Sequence, residues 1–361
     1  MESVVTPSTV DELASVLRES DASSSVRVVG AGSKRSWGGI AAPADLELST
    51  RGLDRVVEHA EGDFVVTVEA GARLADVQHA VGLKGQWLAL DPPEPDATVG
   101  GVVACAASGP RRLRFGTPRD LLIGVTVVLP DGTIARSGGK VVKNVAGYDL
   151  GKLFCGAYGT LGVIAQCTFR LHPQPRAVRC VSVAVDDPGP LVAALRRSPF
   201  RPSAIEYDGR SLSVVVEAFE AAADAQAAQV AALVGGVVSE DVPPSFGVRP
   251  WGSGEVGLKA TFRLGALSDV LALVPPGFRV SAHAASGVLW LGAPSVDAHA
   301  LAELRAAIAA YDGTIVVVSA PDSVKRDLDV WGPVRGVEVM RRIRDRFDPD
   351  RRMNPGVLDV I

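Results

Sequence analysis

Three kinds of residue are scarce in this chain, and each scarcity closes off a class of function. Its 361 residues include four cysteines, Cys105, Cys155, Cys167 and Cys180, with no CxxC pair and no repeated spacing. Such scattered thiols cannot by themselves hold an iron–sulfur cluster, nor do they form the framework of a small secreted domain. Aromatic residues make up 5%, too few for a base-stacking platform. The basic excess needed for nucleic acid is also missing, because 37 Lys and Arg against 41 Asp and Glu leave a net charge of −4. No apolar run reaches membrane-spanning length, and the opening MESVVTPSTVDELASVL lacks a charged segment followed by an apolar core. The expectation is a cytoplasmic protein of a reducing compartment, without direct membrane insertion and peripheral at a membrane only through partners. His59, His79, His172, His283 and His299 lie far apart with no HxxH-like spacing. No metal site is expected from them, and each reads as a solvent or loop histidine.

What the chain does have is core and glycine. Hydrophobic residues make up 47% and charged residues 22%, enough apolar surface for two domains. Glycine and alanine concentrate where Asp91-Pro92-Pro93 leads into Thr98-Val99-Gly100-Gly101 and then a run of very small residues from Ala104 to Gly109. Small side chains let backbone approach a flat or charged ligand, and glycine permits the φ > 0 conformations that turn successive N–H groups inward. An earlier strand, Val26–Val29, runs into Gly30-Ala31-Gly32-Ser33-Lys34, a second anion nest of the same kind. This is neither the dinucleotide fingerprint, whose third glycine would fall at Arg35, nor the Walker pattern, which needs Ser or Thr after the lysine.

Periodicity predicts a helix after Ser8-Thr9, strands at Leu46–Ser49, Val56–His59 and Phe64–Glu69, and a helix from Leu74 to Val81. A hairpin follows around Pro130-Asp131-Gly132. Asp149 caps a helix that should run to Gly159, and Val163–Leu171 alternates as a half-buried strand. His172-Pro173-Gln174-Pro175 marks the domain boundary. Beyond it a βαββα order occurs twice, which suggests two related halves of one antiparallel sheet backed by helices. A last helix, Val337–Phe347, ends in DPDRRMNPG turn chemistry.

Three motifs in this order, RVVGAGSKRSWGG, PDATVGGVVACAASG…RFGTPRDLLIGVTVVLPDG and SGGKVVKNVAGYDLGKLFCGAYGTLGVI, together with the tail FDPDRRMNPG, resemble the vanillyl-alcohol-oxidase or PCMH-type family of FAD-linked oxidases. Within it they are most similar in style to glycolate-oxidase-type FAD-binding subunits. The resemblance covers residues 26–173 and the tail. It implies an α+β fold: a PCMH-type FAD-binding domain of two α+β subdomains over 1–173, an antiparallel-sheet α+β cap domain over 174–336, and a C-terminal helix and tail, 337–361, returning to the first domain. It also implies that Gly30, Ala31, Gly32 and Ser33 line the pyrophosphate. Thr98, Gly100 and Gly101 would form the second wall, with Ala104, Ser108 and Gly109 close by, Gly162, Val163 and Ile164 along the adenine–ribose end, and Asn354 near the isoalloxazine. Ser33 and Lys34 stand where covalently flavinylated relatives carry His, so the FAD is expected to be noncovalent.

The implied activity is oxidation of a small 2-hydroxy acid such as glycolate to the 2-oxo acid, in complex with a second FAD-linked oxidase subunit and an iron–sulfur subunit. The alternative is a self-sufficient FAD-dependent oxidase or dehydrogenase of another alcohol, sugar acid or hydroxy acid. A cofactor-free scaffold is a third reading, against which the intact glycines speak. An anionic substrate needs a cationic clamp. Lys259 and Arg263, four apart and hence on one face of a predicted strand, with Arg249 in the preceding loop, are the candidates, and Lys143 and Tyr148 are the alternatives. No general base is visible.

Overall fold

β-branched and leucine-rich segments open the chain as three short parallel strands, β1 (Ser3–Val5), β2 (Val26–Val29) and β3 (Leu46–Ser49), in the order β1-β3-β2. These coordinates are a computed structural model, which describes residues 3–139 and 149–361. Helix α1 (Val10–Glu19) begins at Thr9, whose hydroxyl accepts from the Glu12 N–H at 3.1 Å. Glu12 reaches back past the cap to Ser8, accepting from both its N–H and its hydroxyl. Leu13 and Leu17 pack with Val26 and Leu48 into one small core.

The chain then supplies β4 (Val56–Ala60), β5 (Val65–Glu69), the two-residue β6 (Gln86–Trp87), β7 (Leu122–Val128), β8 (Ile134–Gly138), β9 (Val163–Arg170) and the two-residue β10 (His172–Pro173). Five of these make an antiparallel sheet in the order β4-β5-β9-β7-β8, and β10 pairs with β6. Helices α2 (Leu74–Gly82) and α3 (Val99–Ala104) contribute Val77, Val81, Val102 and Val103 to its core. α3 takes up the Val99-Gly100-Gly101 segment and ends where the run of very small residues from Ala104 begins. The helix read as running from Leu150 towards Gly159 ends already at Phe154.

The second domain is built on one eight-stranded antiparallel sheet. Its strands are β11 (Ala177–Ala184), β12 (Ala204–Tyr207), β13 (Ser211–Ala218), β14 (Val237–Ser239), β15 (Val256–Thr261), β16 (Arg279–His283), β17 (Val288–Ala293) and β18 (Thr314–Ser319). Their order is β14-β11-β13-β12-β16-β17-β15-β18. Each half runs fourth, first, third, second, and the halves meet back to back where Glu206 and Tyr207 of β12 pair with His283 and Ala282 of β16. The repeated βαββα order is therefore a repeated topology. Helices Gly189–Arg197, Glu220–Val234, Leu267–Ala272 and Ala298–Ala309 pack on one face through Val214, Val216, Leu258, Ala260, Leu289 and Leu291. Because side chains alternate along a strand, the other face carries Ser213, Glu217, Glu206, His283, Trp290 and Lys259. That face roofs the first domain: Trp37 bridges to Ser319, and the Lys325 ammonium donates to the Ser36 carbonyl at 2.7 Å.

The last helix, Val337–Phe347, brings Phe347 against Phe154 at 5.9 Å between ring centroids. The tail then lies along β2, with the Val26 N–H donating to Arg352 O and the Asn354 N–H to Val26 O, both at 2.8 Å. Among the described residues no helix is long and apolar enough to cross a membrane.

Candidate active site

A cleft of about 940 Å³, counted out to open solvent, runs between the end of β2, the start of α3 and the tail. Gly30, Ala31, Gly32 and Ser33 form one wall, and Thr98, Gly100, Gly101 and Ala104 a second. Gly162, Ile164 and Asn354 complete it. Among the described residues no acceptor takes the N–H groups of Ala31, Gly32, Ser33 or Lys34, which leaves a run of backbone donors for an anion. The glycines are required by packing: a Cβ at Gly30 would collide with the Thr98 hydroxyl, and one at Gly100 would sit 2.7 Å from the Ala70 Cβ. Donors on one side and a small, largely apolar wall on the other fit a diphosphate joined to flat rings.

Asn354 reaches the cleft as a clip. Its Oδ1 accepts from the Val28 N–H at 2.7 Å and its Nδ2 donates to Tyr158 O at 2.6 Å. The tail, the glycine turn and the Tyr158–Gly159 turn are thereby held as one wall.

Three expected wall residues lie elsewhere. Val163 and Ile164 are neighbours on a strand, so only one can face the cleft. That one is Ile164, while Val163 is buried in the core under α1. Gly109 packs against the Asp91 carbonyl, where a side chain would not fit. Ser108 is buried beside the roof, its hydroxyl accepting from Arg112 at 3.2 Å. Conversely, Trp37, Cys105 and Tyr158 line the cleft without having been assigned to it, and so does Gly159, read as a helix stop. Trp37 and Tyr158 lie within the quoted motifs, and a large ring among small residues was the available sign.

Above Trp37 the two domains enclose a set of charges. Arg249, nine-tenths buried, lies 3.7 Å from the centroid of Trp290 and also beside Trp37 and Trp251. Its Nε is 3.6 Å from Glu94 Oε1, and Glu94 Oε2 is 3.4 Å from Lys34 Nζ. Among the described residues neither Arg249 Nε nor Glu94 Oε2 finds a hydrogen-bond partner, although both are buried. Burial pulls the Arg249 guanidinium down to about 10, with Glu94 and Glu206 opposing. Lys259 lies over Trp290 at 5.4 Å. Burial, and then the cations Arg112 and Arg249, bring its amine down to about 8. Among the described residues no carboxylate pairs with Lys259. Two neighbouring cations, one without a counter-ion and one loosely paired, make a place for an anion.

Arg263 is not part of that place. β15 ends at Thr261, where the Phe262 N–H turns to Gly287 O, and Arg263 is exposed over Tyr311 at 5.4 Å. Lys143 and Tyr148 lie outside the described residues. His283 corrects the reading of the histidines as solvent or loop residues. It is buried in β16, its Nδ1 2.8 and 2.9 Å from the two Glu206 oxygens, and its Nε2 accepts from Trp290 Nε1 at 3.1 Å. Among the described residues no group of three or more His, Cys, Asp or Glu could hold a metal ion.

Residues 1–138 match the family described as FAD binding domain. The chain is 40% identical over 124 residues to glycolate oxidase subunit GlcE of Escherichia coli (strain K12), a match covering 34% of this chain and 35% of that one. It is 31% identical over 225 residues to glycolate oxidase subunit GlcD of Bacillus subtilis (strain 168), covering 60% and 47%. A third match, at 32% over 171 residues, is D-lactate dehydrogenase [cytochrome] 1, mitochondrial, of Saccharomyces cerevisiae, covering 46% and 29%. The chain thus spans less than half the length of each of these relatives. Among solved structures, alkyldihydroxyacetonephosphate synthase superposes with a TM-score of 0.69 at 16% identity over 98% of this chain and 75% of its own. The shared fold therefore extends through the second domain.

Proposed function

Because the chain carries an FAD binding domain of the PCMH type over residues 1–138, we propose that it is an FAD-dependent oxidoreductase acting on the CH–OH group of a small 2-hydroxy acid, with glycolate the first candidate. FAD, when bound, supplies the acceptor for the hydride lost from the α-carbon. The chain's own residues do the rest. The turn from Gly30 to Lys34 holds the diphosphate through its N–H groups, and the small wall at Gly100, Gly101 and Ala104 admits the rings. Ser33 and Lys34 offer no histidine for a covalent bond, so the cofactor is held noncovalently. Arg249 and Lys259 bind the substrate carboxylate and orient its α-carbon towards the cleft.

The observation that carries this reading is Lys259, a half-buried cation whose charged neighbours, Arg249 and Arg112, are also cations. Such a group keeps its charge at neutral pH only at a cost that a bound carboxylate would offset. Assembly with a second FAD-linked oxidase subunit and an iron–sulfur subunit is supported by the likeness to GlcE and GlcD, both named as subunits, and by His283, whose two nitrogens are already engaged. The likeness to a D-lactate dehydrogenase favours D-lactate as the second substrate and a self-sufficient enzyme as the second reading.

The test uses the purified chain. Acid precipitation should release the flavin to the supernatant. Anaerobic glycolate, then D-lactate, should bleach the flavin or perturb its spectrum. The Arg249→Ala, Lys259→Ala double variant should keep its FAD while half-saturation by the acid rises about a hundredfold or more, as expected for losing two charged hydrogen bonds of about 1.5–3 kcal/mol each. A double variant with unchanged half-saturation would sink the clamp, and a folded chain that takes up no FAD would sink the whole reading.

A further inference from the structure

We infer that Glu206 and His283 are positioning residues for the anion clamp, and that they act on Arg249 through Trp290. This rests on the proposed clamp and names what fixes it. The three side chains form a row across neighbouring strands at the seam of the cap sheet, where Glu206 of β12 is the register partner of His283 of β16. An indole nitrogen can only donate. The 3.1 Å contact from Trp290 Nε1 therefore makes His283 Nε2 an acceptor and puts the imidazole proton on Nδ1. That proton faces both Glu206 oxygens, at 2.8 and 2.9 Å. The row thus has one direction of donation, indole to imidazole to carboxylate, and His283 is neutral in it. Neither ring nitrogen is left to take a proton from a substrate.

The row fixes the plane of Trp290. A tryptophan ring has broad freedom about its second side-chain torsion, and the hydrogen bond to His283 selects one orientation. That orientation presents the indole face to the Arg249 guanidinium, 3.7 Å from the ring centroid. The other contacts of Arg249 are looser: Trp37 and Trp251 at 5.8 and 6.0 Å between guanidinium carbon and ring centroid, Glu94 at 3.6 Å and the Ser108 carbonyl at 3.5 Å, while among the described residues its Nε has no hydrogen-bond partner. An indole released from His283 would leave the guanidinium without its platform.

The experiment is a double-mutant cycle on the FAD-loaded chain, with oxalate as the anion and calorimetry as the readout. His283→Ala and Trp290→Phe should each weaken oxalate binding by about tenfold, within the range seen for coupled neighbours, and leave FAD content unchanged. In an Arg249→Ala background the same two changes should weaken it no further. Trp290→Phe keeps an aromatic face and removes the N–H together with the five-membered ring, so it serves as the second variant if His283→Ala does not fold. Additive losses, or no loss in Trp290→Phe, would overturn the inference while leaving the clamp intact. Unchanged oxalate binding in Arg249→Ala alone would instead overturn the clamp itself.

Discussion

Lys259 sits where two demands conflict. Strand alternation directs it away from the helix-covered core, yet the first domain covers the face to which it points. Burial, with Arg112 and Arg249 opposite, lowers its amine to about 8. A lysine with a lowered value is charged below it and neutral above it. Oxalate or substrate affinity should therefore be level below about pH 7 and weaken as pH rises through 8, when measured by direct titration. Arginine at this position does not lose its proton in that range, so Lys259→Arg should flatten the profile. A profile that stays sloped in the variant would assign the titration to another group.

Asn354 and α3 show how whole elements make the cleft. Asn354 stands at φ 43°, in the left-handed region that asparagine tolerates better than most residues. Its amide ties β2 to the Tyr158–Gly159 turn, and Gly159, at φ 72°, leaves no room there for a side chain. Asn354→Ala should cost about 1–3 kcal/mol for two broken, largely buried hydrogen bonds. It should release FAD on dilution, read as flavin fluorescence, and Asn354→Asp should recover only the bond to Val28. For α3, two adjacent glycines give little helix propensity, and periodicity assigned no helix there. Tertiary contacts make it a helix: the Val99 N–H bonds to Ala72 O at 2.9 Å and the Gly100 N–H to Ala70 O at 2.7 Å, while Thr98 caps the turn.

Across the whole molecule the two domains are locked by Arg111. Its Nε and one terminal nitrogen donate to Glu217 Oε1 at 2.9 and 2.7 Å, and its backbone N–H donates to Asp91 at 3.0 Å. Glu217 is almost wholly buried on the cap sheet. Burial raises Asp91 to about 6 despite Arg111. Arg111→Ala leaves the Glu217 carboxylate without its partner, a change worth about 3–5 kcal/mol for a buried pair, while the backbone N–H still serves Asp91. Calorimetry should then show the cap and the FAD binding domain melting in two steps instead of one. A single transition shifted as a unit would show that Trp37, Lys325 and the tail suffice to couple them.

Element order, the two glycine turns and the doubled βαββα pattern were legible in the sequence, because periodicity and turn chemistry are local properties. The cleft wall was legible for the same reason at Gly30, Gly32, Thr98 and Gly101, which line the cleft. Of the roof, only Lys259 and Arg249 were singled out, as candidates for a clamp. Glu206, His283 and Trp290 lie on three strands spread over 85 residues of chain, and each was visible only as one polar or large residue in an apolar strand. Which face of the sheet meets the first domain depends on strand order and on where the helices pack. Arg263, four residues from Lys259, left the site because β15 stops between them. The sequence determined the two glycine-rich turns that wall the cleft and the order of the elements that carry them. Only the tertiary structure decided which charges are buried together above the cleft, because that depends on long-range pairing and on desolvation, neither of which local residue spacing records.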